Sequence, residues 1–472
     1  MKKIIYTLLG GLLLTSCSKD FTETEFFQEE QVAPLSSVEQ LSSFVNGTYV
    51  KMRDFDYLGA YYRAFAEVRS DEMYNIQRTD RLIETASYTL RTTDRDPRMT
   101  WSAIYKVIAN ANIVITAPDN LPWGESNEAT KVANKIRDLK AQAYTVRALA
   151  FFDLLRLYGQ KYAGGTKGIP LTFTYDPNAF SERATLEQTE AQIESDFNQA
   201  EALFNEIART QGKELKETVS TAEKTYVTAY ALKALKIRYY LYKQCDDCYD
   251  KVATLAQEII DSGLYSVIPA NDFASSFSKP NSANSIFEVF VGLSGSLGSN
   301  CYDYLMNPKG GYGQIAVLPA TLNLYETGDI RKNLFITDRG YLYITGKFAD
   351  LQGRSNIKVV RYEEVLLDAV EAYIHKSDSR ALTYYNQLRT QRGLTAATSV
   401  SLADLKNERR RELLGEGFRY WDLLRWGDPV PQTKADGSQA GTRTAPNHLL
   451  AFPIPQNEIE SSTSKVTQNE GY

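Results

Sequence analysis

The chain has 472 residues, 43% apolar and 24% charged, with a formal net charge of −5. That profile excludes a disordered chain and one built of membrane-spanning helices, and no long Lys/Arg stripe supports nucleic-acid binding. With only His375 and His448, a histidine-rich metal site is excluded and a Ser-His-Asp triad has two bases at most to choose from.

Residues 1–17 read MKKIIYTLLGGLLLTSC. Lys2 and Lys3 precede a short apolar run, Ile4 to Leu14, which cannot cross a hydrocarbon layer that needs about 20 helical residues. We read residues 1–16 as an export signal, and Leu-Thr-Ser-Cys as resembling a bacterial lipobox that implies lipidation of Cys17. Several acyl chains on one residue give stable anchoring. Residues 17–36 then form a polar tether with Phe21, Phe26 and Phe27 as candidate partner contacts.

From Ser37 the chain runs as successive amphipathic segments. Val38, Leu41, Val45 and Met52 follow helical spacing behind a Ser37/Gln40 capping pair. Asp96 and Pro97 read as N-cap and first turn of a helix carrying Trp101, Ile104, Ile108 and Ile115. Ala143 to Tyr158 is another, closed by Gly159, and Thr185 with Gln188 caps the next. Tyr226 to Leu235 and Tyr249 to Ile260 follow, then Tyr362 to His375 and Asp378 to Gln391. The pattern predicts one mainly α domain over 37–472, with a scaffold at about 37–265 and 357–428. A loop-rich insertion at about 266–356 and a C-terminal loop segment, 429–472, complete it.

Three regions break the helical pattern: Asp71 to Arg98, Pro118 to Glu128, and Ile268 to Asn356. Tyr74 and Tyr88 are the aromatics of the first, and Trp123 of the second is either an exposed ring or a hydrophobic plug. In the third, Ile286–Val291 and Gln314–Leu318 read as strands around a segment rich in glycine and tyrosine. There Tyr302, Tyr304 and Tyr312 offer rigid rings with a polar tip, and Asn300, Asp303 and Asn307 supply hydrogen-bonding groups. Rings for an apolar sugar face beside planar polar groups suit carbohydrate recognition, and packing back onto the helices is the alternative. The cysteines of QCDDCYD, Cys245 and Cys248, lack a second pair or nearby histidine, so a structural or incidental role is the expectation rather than a metal or catalytic redox site, and whether they pair as a local disulfide stays open.

Glu408 to Trp426 (ERRRELLGEGFRYWDLLRW) reads as two helical pieces joined at glycines. Its dense charges of both signs suit a structural ion network rather than a catalytic pair. RRRELLGEGFRYWDLLRWG and the ending AFPIPQNEIESSTSKVTQNEGY resemble the C-terminal signatures of the SusD/RagB family of surface nutrient-binding lipoproteins. Glu470 stands where that family commonly has proline. AYTVRALAFFDLLRLYG and WSAIYKVIANANIVI fit the family's helices as well.

The resemblance implies a scaffold of tetratricopeptide-like helical pairs. It also implies a lipid anchor in the outer membrane facing the exterior, for which Ser18, Lys19 and Asp20 resemble the tag of Bacteroidetes lipoproteins. Its implied partner is a SusC-like, TonB-dependent channel that takes up the bound oligosaccharide. SDEMYNIQRTDR resembles the family stretch whose arginine reaches the sugar, here Arg78. The tryptophans that often follow are absent, which keeps a RagB-like peptide ligand as the alternative. A glycoside hydrolase or a ligand-free scaffold is less favoured, since no acid or base stands in a recognisable motif. No cofactor is expected, and a structural calcium stays open.

Overall fold

The structure, a computed structural model, describes residues 34–176, 180–463 and 465–472. The leader, Cys17 and the tether aromatics Phe21, Phe26 and Phe27 lie outside the described residues. In chain order come helices α1 (Val38–Met52), α2 (Tyr61–Val68), α3 (Ile83–Ser87), α4 (Arg95–Ile115) and α5 (Ala129–Tyr158). They are followed by α6 (Leu186–Gln211), α7 (Ala229–Lys243), α8 (Cys248–Asp261) and the short α9 (Phe273–Ser276) and α10 (Tyr302–Met306). The last are α11 (Tyr362–His375), α12 (Arg380–Gln391), α13 (Leu402–Leu413), α14 (Arg419–Trp426) and α15 (Gln456–Ser461).

Neighbouring helices pack as pairs: α4 on α5, α5 on α6, α7 on α8, and α11 on both α12 and α8. Small residues let them approach closely. In α5, fully buried Ala141, Ala148 and Ala150 stand among Phe151, Phe152 and Leu154. Each such large side chain contributes about 1.5–3 kcal/mol by leaving water. One continuous apolar cluster runs from Val38 to Val466. The fold is mainly α, with tetratricopeptide-like pairing.

Local chemistry sets the helix ends. The Thr185/Gln188 capping box forms in full, with both hydrogen bonds at 3.0 Å. The Ser37 hydroxyl accepts from the Gln40 N–H at 3.4 Å, but the Gln40 side chain turns to the Ser36 N–H instead of closing a box. The helix expected from Asp96 begins at Arg95 behind Asp94, because the Asp96 carboxylate is engaged by the Thr85 hydroxyl at 2.9 Å. The helix expected from Tyr226 begins only at Ala229. Thr228 has extended backbone there, caps the Ala231 N–H, and leaves Tyr226 in the preceding loop.

The strands are short: β1 (Met73–Asn75), β2 (Lys167–Pro170), β3 (Arg183–Thr185), β4 (Ser285–Val289) and β5 (Ile315–Val317). After them come β6 (Ile336–Asp338), β7 (Tyr341–Tyr343), β8 (Ile357–Arg361), β9 (Val430–Thr433) and β10 (Gln439–Arg443). An antiparallel sheet in the order β1-β5-β7-β6 joins the first loop region to the insertion, with Tyr74 opposite Ala316. β4 pairs with β8. The predicted strands at 286–291 and 314–318 appear as β4 and β5, each ending earlier than its apolar run.

The Glu408–Trp426 stretch forms α13 and α14 around Gly415 and Gly417, and its charges are structural. Arg331, Arg392, Glu363, Glu408 and Glu412 have fully buried side chains. Glu412 accepts from Arg392 Nε and Nη2, both at 2.9 Å, and from Arg331 Nη1 at 3.1 Å. The tail closes on α5: the Asn469 amide donates to the carbonyls of Tyr158 and Phe452 at 2.9 and 2.7 Å. Cys245 and Cys248 form a disulfide, whereas Cys301 is a buried free thiol. His375 stacks on Tyr249 and His448 meets Tyr472 edge-on.

Candidate ligand-binding site

The sheet brings two of the three loop regions together. Gln314, fully buried just before β5, clamps the turn that follows β1. Its amide nitrogen donates to Asn75 Oδ1, the Thr79 carbonyl and the Arg81 carbonyl at 2.8, 3.2 and 2.8 Å. Its oxygen accepts the Thr79 N–H and hydroxyl at 2.9 and 2.8 Å. A buried amide satisfied on every side rigidifies what it touches. Here it fixes the turn carrying Arg78 and Arg81.

Both arginines are half-buried at the edge of a cluster of rings. Arg81 lies 4.5 Å over Tyr312 and 5.6 Å from the centre of Phe55, and donates to the hydroxyls of Tyr312 and Tyr61 at 3.2 and 3.4 Å. Burial opposes its charge, but those contacts hold the guanidinium above its ordinary value. Tyr304 stands edge-on to Tyr312, with ring centres 4.9 Å apart. Phe55 packs on Tyr61 at 4.4 Å. Arg78 runs beside Gly313 and reaches Tyr343. Behind the rings Arg95 holds Asp56 in a two-point pair at 2.7 and 3.1 Å.

Glycines shape this face. Gly310 and Gly311 lie against the Tyr304 ring, and a Cβ on Gly310 would sit 3.1 Å from it. Gly313 has φ +47° and its Cβ would meet Pro308 at 2.6 Å and Arg78 at 2.8 Å, so no side chain fits there. The result is a half-exposed surface of tyrosine and phenylalanine rings with guanidinium donors at its margin. Such a surface stacks on apolar ring faces and donates to hydroxyls.

The predicted site residues divide. Arg78, Tyr304 and Tyr312 share this surface. Asn300 is exposed in the turn before α10. Tyr302 is a correction: it is 1% exposed, donates to the Gly415 carbonyl at 2.9 Å and presents no ring face to solvent. Tyr74 is another, 5% exposed and packed with Ile76, Ala316 and Tyr343. Asp303 is half-buried and accepts the Asp350 N–H at 2.8 Å. Trp123 is half-buried beside the start of α1, where Gly124 donates to Glu39. Phe55 follows the other end of that 15-residue helix, so α1, about 22 Å long, separates Trp123 from the cluster. Sequence reasoning missed Arg81 and Phe55, and Tyr61, which is 2% exposed and supports them from below. Arg81 was within sight, three residues after Arg78 in QRTDR.

Among the described residues no helix is long and apolar enough to cross a membrane. Residues 24–237 match a family profile described as "Starch-binding associating with outer membrane", and residues 343–472 match one described as "SusD family". A SusD-like protein of Bacteroides ovatus is 19% identical over 91% of this chain and 83% of its own length. A putative sugar-binding protein of Bacteroides vulgatus superposes with a TM-score of 0.80 at 24% identity, covering 93% of this chain and 100% of its own. A structure described as a laminarin-binding SusD-like protein gives 0.71 at 23% identity, over 93% of this chain and 100% of its own. These likenesses share the fold just described, and the profiles between them take in both ends of it. The chain belongs to the SusD/RagB family.

Proposed function

We propose that this chain is a cell-surface lipoprotein that binds oligosaccharide and delivers it, chemically unchanged, to a SusC-like TonB-dependent outer-membrane transporter. The observation that carries the reading is the convergence of Tyr304, Tyr312, Arg78 and Arg81 on one half-exposed surface from segments far apart in sequence. The family membership supports it, as do the sugar-binding and laminarin-binding relatives. Anchoring through Cys17 follows from the lipobox-like leader and accounts for placement at the membrane with no spanning helix among the described residues.

The test uses the chain from Ser18, titrated calorimetrically with plant, fungal and host glycans and with mixed peptides, each mixture being checked for cleavage. We expect saturable glycan heat without cleavage. Tyr304→Ala and Arg81→Ala should each weaken it about tenfold or more, as the loss of about 1.4 kcal/mol requires. Binding that survives both substitutions overturns the site. Peptide heat alone moves the ligand to the RagB-like branch, and product formation overturns the non-catalytic reading.

A further inference from the structure

Two residues beyond Tyr61 on α2, and so about 200° around the helix, Arg63 lies on a different face from Tyr61. It lines a partly open cavity of about 60 Å³ together with Tyr302, Asp303, Lys347, Arg361 and Glu416. Its guanidinium carbon lies 4.1 Å over the Tyr302 ring. Among the described residues it has no hydrogen-bonding or ion-pair partner, and its Nε is sealed from solvent without one. The side chain as a whole is half-buried, so the cost falls on the sealed Nε, a donor left without an acceptor, at about 1–3 kcal/mol.

The other cations on the wall are already matched. Lys347 donates to the carbonyls of Glu412 and Leu414 and to Glu416 at 2.6, 3.1 and 2.6 Å. Arg361 grips both oxygens of Glu416 at 2.8 Å. Arg63 is the spare charge.

We propose that this cavity is an anion site that takes one carboxylate group, held by the planar fork of Arg63. The two coplanar oxygens of a carboxylate match that fork, and the volume admits a group of only a few heavy atoms. Glu416 and Asp303 on the same wall disfavour a dianion such as sulfate. Burial pushes the Asp303 carboxyl up to about 7, so near neutrality it is protonated in part and can donate to the guest. The carboxylate has two sources, a free small acid or a uronic-acid residue of a larger ligand. The site stands independently of the glycan reading.

The test is a thermal-shift and calorimetric titration of the chain from Ser18 with sodium acetate, sodium glucuronate and sodium sulfate, against sodium chloride at matched ionic strength. Acetate should raise Tm saturably beyond chloride, and sulfate should not. Arg63→Met should abolish that increment while its Tm in chloride stays level or rises, because the variant removes an unmatched charge. Asp303→Asn, which keeps a donor, should retain the acetate response. A glucuronate response exceeding that of acetate assigns the carboxylate to a glycan ligand, and an acetate response alone assigns it to a free acid. An acetate effect indistinguishable from chloride, or one that persists in Arg63→Met, overturns the site.

Discussion

Replacing Glu412 with glutamine keeps its shape and removes its charge from the centre of the buried ion network. The carboxylate accepts from Arg392 twice at 2.9 Å, from Arg331 at 3.1 Å and from Arg361 at 3.3 Å. Arginine charge holds it well below the usual carboxylate range despite complete burial. Removing one partner of a single buried pair costs about 3–5 kcal/mol. Here three guanidiniums lose a shared counter-charge, so the lower bound is about 3 kcal/mol, against a total stability on the order of 5–15 kcal/mol. With a urea m-value of about 3 kcal/mol/M, the midpoint should fall by about 1 M or more. The control is Glu326→Gln. Glu326 also makes two 2.6 Å contacts, to Arg389, but is 45% exposed, so its loss should cost about 1 kcal/mol or less. Urea unfolding followed by far-UV circular dichroism compares the two. If Glu412→Gln moves the midpoint no further than the control, the network is hydrated and the argument from burial fails.

Glu67 supplies a second test. Burial, with Glu72's charge nearby, pushes its carboxyl up to about 8, and its Oε2 is buried without a partner. Between about 4.5 and 8 the folded chain therefore holds a proton that the unfolded chain releases, so stability falls as pH rises through that window. Glu67→Gln keeps the acceptor for the Gly417 N–H, so it should match wild type at pH 5 and melt higher at pH 9; an unchanged pH slope of Tm refutes this. A third comparison sets two left-handed glycines against each other by calorimetry. Gly415→Ala places a Cβ 2.7 Å from Phe348 and should cost about 2–4 kcal/mol, strain and overpacking together, whereas Gly427→Ala meets nothing within 4 Å and should cost about 1 kcal/mol. Equal losses would mean that strain alone decides both.

What could be read from the sequence was what depends on near neighbours. Helical periodicity located α11 to the residue, and the Thr185–Gln188 spacing predicted a capping box that forms in full. Tyr304 and Tyr312 stood out because glycines surround them, and Arg78 came through the family resemblance. Tyr302 looked the same on paper but turns inward, because two steps on a helix rotate a side chain by about 200°. Tyr74 faces inward because the β1–β5 register sets it opposite Ala316 against Tyr343, which no local pattern announces. Arg81 and Phe55 were missed for the same reason. Their partners lie in other segments, and only the folded chain brings them together.

The Gln314 clamp has a consequence for how the site comes into being. It joins groups 233 to 239 residues apart in the chain, so the surface that unites Arg81 with Tyr304 and Tyr312 cannot be complete in a fragment or in the first half of the chain as it is made. Pairings of such long range are costly in loop entropy and late to form. The proposed site is therefore completed only when the insertion docks onto the helical array. On the proposed reading, recognition by this face would report completed folding, and partly folded chains would be unable to compete for ligand.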